Sequence, residues 1–507
     1  MLRKSILIVL GLLNGLTLLG QQQQDRPNII FIMADDHALK AISSYSADWI
    51  QTPNIDRIGK EGAVFQEARV TNSVCSPSRA VILTGKYSHL NGMKDNGTYF
   101  NGAQVTLPKL LKSAGYQTAI IGKWHLFSEP TGFDYWDILP DQGNYYNPQF
   151  LHKGGDTIRE GYVTDVITEQ SIKWIDQHKK EPFFIMVHHK APHRNAMPPL
   201  KYLNLLSKKR FPYPDSFFQQ SDGRPAMERQ QISFAKGLDI RYDSKIACDT
   251  CAVTTVNDWA PAEYQRELVR MTAEERAIWD NHYAQYQSEF DRIKNDRQML
   301  DFQYQRFMQD YLSCITSLDE NVGKLLDYLD ESGLAQNTIV VYMSDQGFFL
   351  GEHGLYDKRF MYEEAFRTPM LMRYPNKINR GISIPDYVLN LDIAPTLLDY
   401  AGAPAPSDMQ GRSMRKLLKG NADATWRKSV YYHYYETSFG LTKHEGVLQG
   451  RYKLIHFYDP VEAWEFYDLQ EDALETHNRY SDPQYQDQVS LLKQELNRLQ
   501  QELKVNP

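Results

Sequence analysis

Residues 73–85 read SVCSPSRAVILTG. Cys75 stands two residues before Pro77 and four before Arg79. A thiol near a guanidinium suits an activated nucleophile, a metal ligand, half of a disulfide, or plain packing. A second group of residues offers only oxygen. Asp35, Asp36, Asp345 and Gln346 supply carboxylates and an amide carbonyl, hard ligands suited to Ca²⁺ or Mg²⁺. Any one of them would as readily cap a helix or pair with an arginine. Two such pairs, each directly after an apolar run, favour a divalent cation. A third group is Arg79, Lys123, His125, His193 and Lys358. With a cation, these residues make a pocket for a tetrahedral anion undergoing transfer. Singly, each histidine is more often structural, and Lys358 would default to a solvated surface lysine. Convergence at one place carries the sharper reading.

The elements that must position these groups are legible. NIIFIMA (28–34) is an apolar run that ends in Asp35-Asp36-His37. YQTAIIGKWHL (116–126), PFFIMVHHKAPH (182–193) and NTIVVYMSDQG (337–347) repeat the pattern. Each reads as a buried parallel strand with polar groups at its C-terminal end. Helical patterns at 164–179 and 303–332 lie between them. The alternation predicts an α/β fold with a large, mostly parallel central sheet flanked by helices. Ligands in such sheets bind beyond the carboxyl ends of the strands. Residues 200–300 carry charge and aromatics but few strand signals, and read as a helical and loop insertion near the site. From about 425, SVYYHYYE, GVLQGRYKLIHFY and AWEFYDL predict an antiparallel sheet, and YQDQVSLLKQELNRLQQEL predicts a closing amphipathic helix. The division expected is 25–424 for a catalytic domain and 425–507 for a smaller α+β domain.

Length and composition agree with a folded protein of that size. The chain has 507 residues and is 42% hydrophobic and 12% aromatic, which excludes wholesale disorder. A net charge of −7 argues against nucleic acid as a partner. Residues 1–24 pair Arg3 and Lys4 with an apolar stretch from Ser5 to Leu19, which reads as a secretory signal too short to span a membrane. Export to the periplasm or beyond is expected, without a stable membrane anchor. Four cysteines in an exported chain do not make a disulfide scaffold. Cys248 and Cys251 form either a local disulfide or two idle thiols, and Cys314 falls in a helical pattern, as core.

CSPSR followed by AVILTG resembles the signature of the type I sulfatases. Four more stretches agree in the family's order: PNIIFIMADDH, GYQTAIIGKWHL, KAPH and SDQGFFLGEHGLYDKRFMYEE. The resemblance runs from about residue 26 to the C-terminus. It implies an alkaline phosphatase-like fold and a metal site made by Asp35, Asp36, Asp345, Gln346 and residue 75. Gln346 stands where many members carry Asn, and it keeps the carbonyl ligand. The resemblance further implies that Cys75 is oxidised to Cα-formylglycine by a maturation enzyme that reads the cysteine, proline and arginine.

A hydrated formylglycine has two hydroxyls. One attacks sulfur, and the other later loses its proton and expels sulfate, a step that a plain serine lacks. By resemblance, Arg79 and Lys123 hold the diol and His125 assists the elimination. His193 and Lys358 contact the ester, with His193 protonating the leaving oxygen. HHKAPHRNAMPP and FPYPDSFF look like bacterial sulfatases acting on N-acetylglucosamine 6-sulfate of heparin-type or mucin glycans; 4-sulfated galactose is the alternative. Arg194, His353 and Arg359 flank the motifs and are candidate sugar contacts. Two other classes compete. A phosphoesterase or phosphonate hydrolase of the same fold would need two metals and a Thr or Ser nucleophile. A non-catalytic sulfated-glycan binding protein would have lost one of these groups.

Overall fold

The computed structural model describes residues 26–46, 48–221, 223–248, 251, 258–421 and 423–505. The signal expected over residues 1–24 lies outside them.

The first apolar run forms strand β1 (Asn28–Asp35), with all eight residues buried. It is paired on both edges and covered on both faces, so no position along it calls for a polar side chain. Its alternation shows in packing instead. Ile29, Phe31 and Met33 join the core on one face, and Ile30, Ile32 and Ala34 join the core on the other.

Nine more strands complete this sheet: β2 (Ala63–Phe65), β3 (Gln117–Lys123), β4 (Tyr135–Leu139), β5 (Gln149–His152), β6 (Gly155–Ile158), β7 (Phe183–Pro192), β8 (Thr338–Ser344), β9 (Met370–Arg373) and β10 (Ile382–Ile384). Their order is β10-β2-β9-β8-β1-β7-β3-β4-β5-β6. The strands from β8 to β4 pair in parallel. The flanks are more mixed than the sequence predicted. β9 runs antiparallel to β8 and β2, and β5 and β6 form a hairpin beside β4. The reason is connection length: β5 and β6 are too close in the chain for the crossover that a parallel pair requires.

Four helices matter for the site: α1 (Cys75–Thr84), α2 (Val163–His178), α3 (Asp296–Glu331) and α4 (Gln486–Glu502). α2 and α3 cover the Ile30 face, and α1 adds Ala80, Ile82 and Leu83 to the other. α3 starts before the predicted 303 because Asn295 caps it, its side chain accepting the Gln298 N–H at 3.0 Å. Cys314 is buried within α3, and Cys248 and Cys251 form a disulfide. Between 200 and 300 the described residues form short helices and loops, among them a helix at Ala260–Leu268.

The C-terminal strands β11 (Ser429–Tyr434), β12 (Lys443–Gln449), β13 (Tyr452–Asp459) and β14 (Ala463–Asp468) make an antiparallel meander in chain order. The stretch 446–458 is a hairpin, turning at Gly450 with φ 60°. Leu492 and Leu496 of α4 share a core with this sheet, and so do Val74, Val81, Phe360 and Tyr362. The small sheet therefore braces α1 from behind.

Gly122 shows how tightly the central strands approach. Its φ is +104°, and a Cβ there would lie 2.0 Å from the His188 carbonyl oxygen of β7. Gly122→Ala should destabilise the fold by more than about 2 kcal/mol, read by urea denaturation. An unchanged midpoint would mean that β3 and β7 have slack at this level.

Candidate active site

Four neighbouring strands, β8, β1, β7 and β3, end at one edge of the sheet. Adjacent strands lie about 4.8 Å apart, so residues that follow their ends meet in space. β1 delivers Asp35 and Asp36, β8 delivers Asp345 and Gln346, β3 delivers Lys123 and His125, and β7 delivers His193. α1 brings the remaining pair. Val74 is its extended N-cap residue, so Cys75 is the first helical residue. Pro77 fits in the first turn, where backbone N–H groups have no helical partner. Gly85, at φ 63°, ends the helix. Every residue of α1 is buried.

The Cys75 sulfur lies 3.5 Å from Asp35 Oδ1, 3.3 Å from Lys358 Nζ and 3.9 Å from Gln346 Nε2. Burial pushes the thiol pKa up. One turn along α1, Arg79 donates to Asp345 Oδ2 through Nε at 3.2 Å and Nη2 at 2.9 Å. Its Nη2 also stands 3.6 Å from Asp35 Oδ1, and its Nη1 donates to the Lys123 carbonyl at 2.8 Å. Lys123 Nζ donates to Asp35 Oδ2. Lys358 Nζ donates to both oxygens of Asp36, at 2.6 and 2.7 Å.

Oxygens of Asp35, Asp36 and Asp345 lie within 4.8 Å of one another. Burial, reinforced by the Asp35 charge, raises Asp36 to about 6 and Asp345 to about 7, against the opposing pull of Lys358 on Asp36 and Arg79 on Asp345. Burial acts on Asp35 in the same direction, but Lys123, His193, Arg79 and Lys358 outweigh it and hold Asp35 well below the usual range. Gln346 Nε2 donates to Asp36 Oδ1, whereas its buried Oε1 has no hydrogen-bond partner. An orphaned carbonyl oxygen beside three crowded carboxylates fits a hard divalent cation.

The histidines are held in defined tautomers. Ser76 Oγ donates to the His125 carbonyl at 2.6 Å and so accepts from His125 Nδ1 at 3.2 Å. His125 Nε2 then accepts from Gln142 Nε2 at 2.9 Å. Burial, then Lys123, lowers His125 to about 4. His193 Nδ1 donates to the Arg194 carbonyl at 2.7 Å, which leaves Nε2 facing Asp36 Oδ2 at 3.6 Å. Burial, then Lys123, holds His193 well below its ordinary value.

A cavity of about 770 Å³ opens onto this cluster. Asp36, His193 and Lys358 lie at its base, and Trp259, Arg270 and Phe439 are among its other lining residues. Arg194 and Arg359 line it as well. Arg194 is engaged bidentately by Asp243, and Arg359 is paired with Asp357 and Glu436. His353 does not line it. Its ring is buried beside Tyr362, Nδ1 lies 3.3 Å from Arg224, and Nε2 is turned toward Glu364. The expectation that His353 touches the sugar is therefore replaced by a packing role, set by its own αL backbone at φ 55°. Sequence reasoning missed Gln142, which contacts Lys123 and His125, and Ser76. Ser76 stood inside the motif and could have been weighed. Gln142 lies in a loop with no pattern of its own.

A family model described as Sulfatase matches residues 27–403, and one described as N-sulphoglucosamine sulphohydrolase, C-terminal, matches residues 351–502. The chain is 44% identical over 497 residues to an N-acetylglucosamine-6-O-sulfatase of Bacteroides thetaiotaomicron, covering 96% of this chain and 88% of the relative. It is 27% identical to the human N-acetylglucosamine-6-sulfatase, over 81% of this chain and 67% of the relative. A solved structure described as a complex with its substrate D-glucosamine-2-N,6-O-disulfate superposes with a TM-score of 0.91 at 44% identity, covering 95% of this chain and 99% of that one.

Removing the Arg79 guanidinium would leave Asp345 buried and uncompensated. Above pH 7, where Asp345 is ionised, Arg79→Ala should cost up to about 3–5 kcal/mol of folding stability, and less at lower pH where the carboxyl is protonated. Chemical denaturation reads this directly, and a loss under about 1 kcal/mol would mean that Asp345 is neutral in the folded protein.

Proposed function

Because the chain belongs to the sulfatase family, of alkaline phosphatase-like fold, we propose that it hydrolyses the 6-sulfate of a terminal glucosamine in a sulfated glycan. The observation that carries the chemistry is the ring around residue 75. A buried cysteine at a helix N-terminus stands against Asp35, Gln346 and Lys358, and Lys358 also lines the cavity. The sugar rests on the relatives named above. A cavity of about 770 Å³ is of the size that encloses a small ligand, which supports action at chain ends.

Residue 75 acts as Cα-formylglycine, made from Cys75 by a maturation enzyme that reads Pro77 and Arg79. As the hydrate it supplies one hydroxyl to accept the sulfuryl group and a second to expel it. Asp35, Asp36, Asp345 and Gln346, with residue 75, would hold one divalent cation, Ca²⁺ before Mg²⁺. When bound, the cation supplies Lewis-acid charge beside the nucleophile.

The remaining work falls to protein side chains. Arg79 and Lys123 fix the acids around residue 75 and keep positive charge close to it. Lys358, held charged by Asp36, neutralises the ester oxygens. His193 binds its own proton at Nδ1 through the Arg194 carbonyl, so Nε2 is the atom that exchanges a proton with the leaving sugar oxygen. An arriving sulfate ester brings the negative charge that raises His193 toward protonation. His125 is neutral with Nε2 as acceptor, which suits a base in the elimination step. Export is supported by residues 1–24. No helix among the described residues is long and apolar enough to cross a membrane.

Released sulfate should show a preference of about 100-fold or more for N-acetylglucosamine 6-sulfate over 4-sulfated galactose. Mass spectrometry of the same preparation should find an aldehyde at residue 75. Cys75→Ser should take up one sulfate and stop. Repeated turnover by that variant, or the opposite sugar preference, would overturn the corresponding half of the reading.

Chelation tests the cation. Dialysis against a chelator should lower activity by about 100-fold or more and lower the melting temperature, with both restored by Ca²⁺. Activity and melting that survive chelation would remove the cation from the site.

A further inference from the structure

Lys190 lines the same cavity, and the reading above leaves it unused. It stands near the end of β7 and is 2% exposed. Its Nζ donates to the Gln142 carbonyl at 3.3 Å and sits 4.7 Å from the centre of the Tyr145 ring. An ammonium has three donors, and among the described residues no carboxylate stands within ion-pairing distance of this one. The other buried cations of the cavity are each paired: Arg194 with Asp243, Lys358 with Asp36, and Arg359 with Asp357 and Glu436. Glu267, the acid that acts most strongly on Lys190, already accepts the Tyr145 N–H at 3.0 Å. Lysine is almost never fully buried unless paired, and an unpaired buried charge costs several kcal/mol. A ligand that carries the missing charge would complete the site.

The Lys190 ammonium makes no hydrogen bond or ion pair to the reacting groups, although the Lys190 carbonyl accepts the His193 N–H at 3.0 Å. Gln142 stands between the ammonium and those groups. Its side chain contacts Lys123 and His125, and its carbonyl receives Lys190. Lys358, not Lys190, touches the Cys75 sulfur.

We infer that Lys190 binds a second anionic group of the substrate, beside the ester that is cleaved. The group is an anionic oxygen, from a sulfamate on the same glucosamine or from the carboxylate of an adjoining uronate. The inference rests on the reading of this cavity as the substrate site. It makes Lys190 a specificity residue that distinguishes charged from neutral neighbours of the 6-sulfate.

The test compares three substrates: N-acetylglucosamine 6-sulfate, glucosamine 2-N,6-O-disulfate, and a disaccharide that joins the first to a uronic acid. The intact enzyme should favour one charged substrate over the neutral sugar by about tenfold or more in kcat/KM. Preference for the disulfate identifies the sulfamate, and preference for the disaccharide identifies the carboxylate. Lys190→Met, apolar and of similar length, should abolish the preference through KM, and Lys190→Arg should keep part of it. No preference in the intact enzyme overturns the inference. So does an equal loss on all three substrates in Lys190→Met. If none of the three is hydrolysed, the reading of the preceding section fails by itself. Calorimetric affinities of the Cys75→Ala protein for the same sugars, with and without Lys190→Met, then decide the subsite. Equal affinity for charged and neutral sugars overturns it.

Discussion

Three buried carboxylates within reach of one another set the terms for everything around them. Asp35, Asp36 and Asp345 cannot all ionise in a low-dielectric site without nearby positive charge. Arg79, Lys123 and Lys358 supply it, and each comes from a different part of the chain. α1 must therefore dock with its N-terminal turn against the sheet edge, since only then does Arg79 span Asp345 and the Lys123 carbonyl. The same docking sets Cys75 among the acids. Charge balance and nucleophile placement are one geometric requirement.

The fold meets that requirement with rigid parts. β8, β1, β7 and β3 are central and fully paired, so their ends do not shift independently. Behind α1, Val74 and Val81 pack into a core shared with apolar side chains of the C-terminal sheet such as Val430, Tyr432 and Leu454. Backbone strain is concentrated in front. Asp36, His125, Asp357 and Arg359 all hold positive φ, at 67°, 51°, 78° and 99°. Non-glycine residues accept that conformation only where surroundings over-determine it. At Asp36 the clamp is visible: its carbonyl accepts from Tyr311 at 2.6 Å, and its N–H donates to Asp345 at 3.2 Å. Tyr311 belongs to α3, so the long helix also reaches the site.

The sequence made some of this legible and concealed the rest, for physical reasons. Apolar runs that end in Asp, Lys or His announced the four strands and their common edge, because a strand buried on both faces has a composition of its own. α1 was not read as a helix, because its residues stood out only as a chemical motif; Pro77 in its first turn and Gly85 after its end are signals that could have marked it. The antiparallel flanks of the sheet were not marked, since short strands such as β5 and β6 carry little periodicity. Tyr311, Gln142 and Lys190 were passed over because nothing local distinguishes them. Tyr311 sits on a regular helix, Gln142 in a loop, and Lys190 within a motif whose histidine drew the attention. His353 misled in the opposite direction. It is close to the motif in sequence, but its backbone turns the ring into the core.

This division between what the motifs carry and what they omit has a structural basis. The reacting cluster hangs on strand ends, where position is dictated by sheet pairing and tolerates little change. The cavity walls come from elsewhere: Tyr242, Trp259 and Arg270 from the 200–300 stretch, and Glu436, Ser438 and Phe439 from the C-terminal part. Those segments pack on the sheet without belonging to it, so their side chains can change while the strand ends stay in place. Selectivity for a sugar is then shared between these walls and the few motif residues that also line the cavity, Arg194, Asp357 and Arg359. The unpaired Lys190 also joins the two regions. It stands on a sheet strand, yet its charge faces the walls, so the scaffold itself imposes a charge condition on whatever the walls enclose.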